Sequence, residues 1–340
     1  MTIHTHGKPW AVAAAMVAGT LVATPAAGQD FPERLSFMEK PMATEIGDVT
    51  LLLSGFLDTM ATYDVSVEHA IDAGLVGNLQ IGALTQLPNR LRVELDYSGY
   101  YASDDVFHAE LDQGYTDNTT LSVSGAWGTV LAGNVSDVVR EQTRRQRGAG
   151  NAFLAFDNAL GELGEWGGGY VGRFGPWVFS GVVDGEGHVD LGAMVQRPAG
   201  TRDYRLTFRA TTGDFTAADS SSFDTTALAL VSEFIYGSSL FDIGVGCEWF
   251  SSKGPDANRC HVSSGVSTKV GVVTLSIEGH VGRIEGHDEI SIALGAQYDV
   301  ARGLSANFGL NHARSKTIID GVRFTDTNET SIISSLRYAF

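Results

Sequence analysis

The residues able to do chemistry are arranged along this sequence in ways that exclude most catalytic sites. His280 and His287 stand near Glu285, Asp288 and Glu289, but no His-Glu-x-x-His pairing sets two imidazoles on one helix face around a metal. No Gly-x-Ser-x-Gly elbow presents a nucleophile. Gly167-Gly168-Gly169 precedes neither Lys-Ser/Thr nor a helical pattern, so it reads as a flexible return into a strand rather than a phosphate cradle. Asp104-Asp105, Asp112, Asp117, Asp214, Asp219 and Asp224 offer the oxygen ligands that Ca²⁺ takes. None has the spacing of an ordered calcium loop, and solvated loops are the simpler reading. No cofactor and no metal are therefore expected. Cys247 and Cys260 have twelve residues between them. They read either as a disulfide formed in an oxidising compartment or as two unrelated thiols, because spacing alone cannot bring two Cβ atoms together.

A long segment carrying clustered charge runs from Val135 to Gly167. Arg140, Arg144, Arg145 and Arg147 crowd its first half, and Phe153, Leu154, Phe156, Asp157, Leu160, Glu162, Leu163 and Glu165 fill the second. A segment this long without a strand pattern is functional or disordered. On an outer surface it would have no use for Phe153, Leu154 and Phe156.

The elements that must hold this segment follow from composition and period. The 340 residues carry 23 Lys+Arg against 40 Asp+Glu, a net charge of −17, with 43% hydrophobic residues, 41 Gly and 8 Pro. The apolar content argues against disorder. The acidic balance argues against a nucleic-acid partner, which would need a basic face. At the front, Lys8, an apolar run from Trp10 to Ala23, Pro25 and the small residues Ala26-Ala27-Gly28 have the form of a secretory signal peptide. The run is shorter than the ~20 residues a membrane-spanning helix needs. Cleavage after residue 28 leaves a charge of −18, since the segment holds only Lys8.

Beyond it the period is two almost everywhere. Ile332, Ser334, Leu336, Tyr338 and Phe340 oppose Ser331, Ile333, Ser335, Arg337 and Ala339; Tyr204, Leu206 and Phe208 oppose Asp203, Arg205, Thr207 and Arg209. Such a strand suits a soluble sandwich or a barrel with its apolar flank on lipid and its polar flank on a lumen. Sixteen candidate strands start near Val49, Leu75, Arg90, Thr119, Gly128, Gly168, Trp177, Val189, Asp203, Thr226, Leu240, His261, Gly271, Glu289, Leu304 and Thr330. Short connections (Pro88-Asn89, Ala126-Trp127, Gly175-Pro176, Gly237-Ser238) alternate with longer ones (60–74, 102–118, 135–167, 211–225, 282–288, 315–329). A transmembrane antiparallel β-barrel with short turns on one rim and loops on the other produces that alternation. A Greek-key sandwich has no reason to. Sixteen strands also fit an aqueous lumen. The expected plan is signal peptide 1–28, a periplasmic or lumenal leader 29–48, and an all-β transmembrane barrel 49–340.

At this point the sequence resembles the general porins of Gram-negative outer membranes, especially the alphaproteobacterial type. The stretch Trp127-Gly-Thr-Val-Leu-Ala-Gly-Asn134 looks like that family's fifth strand, and the ending Ser334-Ser-Leu-Arg-Tyr-Ala-Phe340 like its terminal strand. The leader of about twenty residues is a departure, since general porins enter their first strand almost at once. The resemblance implies a homotrimer of barrels in the outer membrane. Their neighbours are lipid and lipopolysaccharide, and small hydrophilic solutes diffuse through each barrel. It also makes 135–167 the infolded constriction loop. Asp157, Glu162 and Glu165 are then candidate acidic groups at the constriction. Arg90, Arg92, Arg205 and Arg209 on the wall, with Arg140, Arg144, Arg145 and Arg147 on the loop, are candidate basic ones. Opposed charges across a narrow passage set up a transverse field that selects solutes by charge; ordinary solvated lumen residues are the plainer reading of each. The charge of −18 leads to an expectation of weak cation preference. Outward-facing Tyr204, Phe208, Trp249, Tyr298 and Tyr338 favour a non-specific pore over a sugar channel. Gly128, Ala132 and Gly133 suit a subunit contact. Two other readings stand beside the porin: a barrel enzyme of protease or lipase type with rim catalytic residues, and a surface adhesion or binding barrel.

Overall fold

The computed structural model describes residues 42–65, 71–103, 114–143, 148–155, 162–164, 166–199, 202–252 and 256–340. The strands are β1 (Met42–Ile46), β2 (Val49–Asp64), β3 (Ile71–Gln86), β4 (Arg92–Ala102), β5 (Gly114–Gly125), β6 (Gly128–Asn134), β7 (Trp166–Phe174), β8 (Trp177–Asp184) and β9 (Val189–Ala199). They continue as β10 (Arg202–Thr216), β11 (Ser222–Tyr236), β12 (Ser239–Ser251), β13 (Ala257–Val270), β14 (Val273–Ile284), β15 (His287–Ala301), β16 (Leu304–Ile319) and β17 (Val322–Ala339). One short helix, α1 (Ser136–Glu141), follows β6.

From β2 to β17 each strand pairs antiparallel with the next, and β17 returns to β2, with Ser331 opposite Asp64 and Ala339 opposite Phe56. The result is a closed barrel of sixteen antiparallel strands, so no ladder in the wall is left as an open edge. Only helices and closed barrels satisfy every backbone group in a hydrocarbon medium.

The pleat then sorts side chains by face. On β10, Asp203, Arg205, Thr207, Arg209 and Thr211 are buried inside while Tyr204 and Phe208 are exposed outside. On β14, Thr274, Ser276, Glu278 and His280 point in, and Leu275, Ile277 and Val281 are exposed. The exterior is therefore greasy: Ile243 is 53% exposed, whereas the inward Glu233 is 0% exposed. Trp127, Trp177, Tyr204, Tyr236, Tyr298 and Tyr338, all next to short turns or the C-terminus, are exposed outside at one rim. That is where an aromatic ring meets a membrane–water interface.

Two features differ from the sequence reading. The leader contributes a strand. The C-terminal strand runs out at Phe340, whose N–H and C=O pair with Gly55 at 2.9 Å each. The lower half of β2 would then lack a neighbour. The turn at Gly47 (φ 62°) and Asp48 folds β1 back so that Met42–Ile46 pair with Leu53–Val49 and take over that edge. Secondly, several connections on the loop rim are far shorter than the segments 282–288 and 315–329. Glu285-Gly286 and Asp320-Gly321 have positive φ at both residues (46° and 89°, 50° and 87°), the two-residue hairpin geometry whose twist matches the strands. The ladders of β14–β15 and β16–β17 run right up to these turns.

Candidate functional site: the lumen and its infolded segment

The chain leaves β6 and turns into the barrel. Val135 and Val139, at and inside the start of α1, are 0% and 1% exposed, seated on inward Leu131, Val171, Val178, Val182 and Met194. These apolar positions interrupt the polar inner face of β6–β9 because they carry the helix. Gly169 is part of the same fit, since a Cβ there would stand 2.5 Å from Val139 Cγ2. Arg140 Nε donates to Asp190 Oδ2 at 3.0 Å, and Arg209 Nη2 donates to the same oxygen at 2.5 Å. The Thr143 and Ser180 hydroxyls lie 3.1 Å apart.

Residues 148–155 lie against β14–β17, about half-way round the sixteen-strand wall from β6. Ala149 N–H donates to Ser276 Oγ (2.7 Å), Phe153 N–H to Asn311 Oδ1 (2.9 Å), Ala155 N–H to Ser291 Oγ (3.1 Å), and Asn151 Nδ2 to Ser335 Oγ (3.1 Å). Two wall glycines make room for this backbone. A Cβ on Gly295 would meet Ala149 O at 2.0 Å, and one on Gly309 would meet Asn151 O at 2.3 Å. Phe153 packs with Phe56, Met60 and Ile333, and Leu154 with Ala152 and Ala293. The return leg bridges the upper edge of β10, where Glu162 and Asp214 exchange backbone hydrogen bonds (2.6 and 2.9 Å). Gly164 N–H donates to Asp184 Oδ2. The segment thus spans the lumen from β6 to the far wall and returns to β8 and β10.

The candidate residues fall into three groups. Arg92 pairs with Glu94 (2.8 Å), Arg205 with Glu233, and Arg140 and Arg209 with Asp190, so these four arginines each contact a neighbouring carboxylate. Arg90 is a correction: it sits exposed at φ 67° in the turn after β3, its N–H bonded to Leu87 O, outside the wall ladders. Glu162 lies at the loop rim beside Asp214. Arg144, Arg145, Arg147, Asp157 and Glu165 lie outside the described residues. Cys247 and Cys260 are directly opposite on β12 and β13 on the outer face, Cα atoms 4.1 Å apart, and are joined by a disulfide. The alternation could have found this, because both belong to the outward register of adjacent strands.

Sequence reading missed two inner clusters. Arg259 donates to Glu248 (3.0 Å) and Glu289 (2.7 Å), His280 Nε2 contacts Glu289 (2.7 Å), and His261 stacks on His280 with centroids 4.9 Å apart. Every member is at least nine-tenths buried. Each lies in the inward register of its strand and the four strands are consecutive, but alternation does not give the register and shear that set these groups at one height around the arginine. Above it, at the loop rim, inward Phe215, Phe223, Phe250 and Phe324 pack with Ala217, Ala257 and Ile284. β17 reaches this cluster because β16–β17 runs past its flanking strands: β15 pairs β16 only to Ser315, and β2 pairs β17 only to Ser331. The free hairpin bends at an irregularity between Thr317 and Ile318 and crosses to the β10–β11 turn. There Ala218 N–H donates to Phe324 O (3.2 Å) and Arg323 N–H to Asp219 Oδ2 (3.1 Å). Burial alone would raise the Asp219 carboxyl. Hydrogen bonds from the Ser221 hydroxyl and N–H and from Arg323 N–H outweigh it and hold the group below its usual range. The two hairpins form a strap over part of the mouth.

No family model matches the chain, and no curated protein matches it. Its fold matches solved outer-membrane barrels. The trimer form of OmpT, an outer membrane protein of Vibrio cholerae, superposes with a TM-score of 0.64 at 13% identity, over 86% of this chain and 99% of that one. An anion-selective porin from Comamonas acidovorans gives 0.62 at 17%, over 86% and 100%. A substituted porin of Rhodopseudomonas blastica gives 0.54 at 16%, over 85% and 100%. At these identities the likeness is one of fold: the sixteen-stranded architecture of Gram-negative outer-membrane porins.

Proposed function

We propose that this protein is an outer-membrane porin, a passage for passive diffusion of ions and small hydrophilic solutes, exported to the periplasm with loss of residues 1–28 and assembled as a homotrimer. The observation that carries the reading is the inverted amphipathy combined with an infolded segment. Ile243, Ile277 and Val281 face outward, the ionised groups face inward, and 148–155 cross to the far wall. A barrel whose only task was to display loops or a rim catalytic site would gain nothing from threading a segment through its own lumen. The exposed apolar belt suits outer-membrane lipid, with lipopolysaccharide around the loop rim.

The same geometry supports weak cation preference. Asp58, Asp184, Asp190, Asp203, Glu233, Asp242, Glu248, Glu278 and Glu289 are buried inside, against Arg205, Arg209 and Arg259, and an acidic lumen raises the local cation concentration. Asp157, Glu162 and Glu165, with Arg144, Arg145 and Arg147, are the loop charges we place along that path. Reconstitution in planar bilayers tests the function. Stepwise ion conductance and a cation-positive reversal potential in a salt gradient are expected; a protein that folds in detergent but never conducts would refute it. Charge reversal at Glu162 and Glu165 should shift the reversal potential toward anions. Hydrolysis of peptide or ester substrates by the purified protein, without conductance, would favour the enzyme reading instead.

A further inference from the structure

The geometry points to a divalent transition-metal site at the loop rim, formed by Glu186, His188 and Asp214 and matched to a zinc-class cation. One donor atom from each of the three lies within 4.8 Å of the others. The informative group is the imidazole. Asp184, its carboxylate fully buried, accepts four N–H contacts: Gly164 N (2.6 Å), Glu186 N (2.9 Å), His188 N (2.8 Å) and His188 Nδ1 (3.0 Å). A carboxylate can only accept, so Nδ1 must be the protonated nitrogen of His188. Nε2 of the neutral ring is then a bare lone pair, and it faces Asp214 Oδ1 at 3.7 Å. Two acceptors at that distance repel unless a proton on Nε2, a metal ion or a water donating to both lies between them.

The surroundings favour the metal. A histidine whose far nitrogen is fixed by a buried carboxylate is the usual orienting arrangement for a metal ligand, setting tautomer and ring direction and raising basicity. The turn 185–188 is pinned by the same carboxylate, and Gly187 (φ 92°) lets it double back, so His188 is held before any ion arrives. Asp214 is fixed by its backbone bridge to Glu162. Glu186 is exposed and free to swing in as the third ligand. One imidazole with two carboxylates suits Zn²⁺ better than Ca²⁺, which takes oxygen ligands in greater number. Bound there, the ion would tie the β8–β9 turn to β10 next to the returning segment, whether or not the barrel conducts.

Isothermal titration of ZnCl₂ into the purified full-length protein in detergent, after chelator treatment and at neutral pH, tests the site. One saturable site per chain is expected, with affinity at least tenfold weaker in both His188→Ala and Asp214→Asn and unchanged in His287→Ala. Circular dichroism verifies that each variant keeps its β content. No saturable binding would overturn the proposal and leave a proton or a water as the bridge. So would binding that survives both substitutions, or Ca²⁺ binding that competes with Zn²⁺ at equal strength.

Discussion

Phe215 and Phe324 stack with ring centroids 4.8 Å apart, although β10 and β17 are seven strands apart around the barrel. No hydrogen-bond ladder joins them. Their contact exists because two hairpins overrun their neighbours and lean inward until their aromatic tips meet. Phe250 closes the cluster at 4.7 Å from Phe215 and 4.9 Å from Phe324, and Phe223 at 5.0 Å from Phe324 and 6.2 Å from Phe215.

Replacing Phe324 by Ala should loosen this strap. Truncating a well-packed buried Phe costs about 3–5 kcal/mol of local packing, while the barrel ladders below stay intact. Higher single-channel conductance and faster entry of larger uncharged solutes in liposome swelling are expected, with the melting temperature of the barrel little changed. Unaltered permeation would mean that the strap does not lie over the conducting path.

The latch between Asp219 and Arg323 should respond to acid. A depressed carboxyl contributes stability that is fully present above its unfolded value, about 3.9 for Asp, and is lost as the pH falls through the lower folded value. The latch should hold at pH 4 and weaken only on further acidification. Conductance recorded from pH 7 down to pH 3 should rise at the acidic end in the wild type. Asp219→Asn should show the raised level throughout and no step.

Gly309 should be intolerant of a side chain because the infolded segment rests on it. In Gly309→Val the added atoms would collide with Asn151 O, and the bonds of Phe153 N–H and Asn151 O to Asn311 would be lost. Conductance should increase while the β-sheet signal stays constant. Gly279→Val, where a Cβ meets nothing within 4 Å, should behave as wild type; an equal effect at both positions would point to general damage.

The cluster around Arg259 should make a large contribution to stability. Glu289→Gln removes one partner of a buried guanidinium that also holds Glu248. Breaking a buried pair on one side costs about 3–5 kcal/mol. A clear drop in thermal unfolding temperature in detergent is expected, larger than for Asp288→Asn, whose pairing with Arg283 is exposed. Exposed pairs contribute about 1 kcal/mol or less.

Much of the architecture was legible because a strand's period is two and one flank must be apolar. Tyr204, Phe208 and Trp249 are outward as their alternation implies, and each of the sixteen expected strand starts has a barrel strand at or within eight residues of it. Loop lengths were less legible. Asp320-Gly321 falls inside the expected loop 315–329, although Asp-Gly between alternating runs is a hairpin signal. The inner aromatic cluster was missed for a related reason. Phe215, Phe223 and Phe324 fall within the expected loops 211–225 and 315–329, where alternation gives no inward register.

Sequence alone determined which flank of each strand is greasy, roughly where each barrel strand begins, and that one charged, phenylalanine-bearing segment breaks the pattern, since these depend on neighbours within a few residues. Tertiary structure alone decided that Arg205 faces Glu233 and Arg259 faces Glu289, that His188 meets Asp214, and that Phe324 reaches Phe215. Strand order follows the chain, but register and shear, which local alternation does not encode, choose which inward side chains of neighbouring strands meet, and only the bend of a closed barrel lets β17 reach β10.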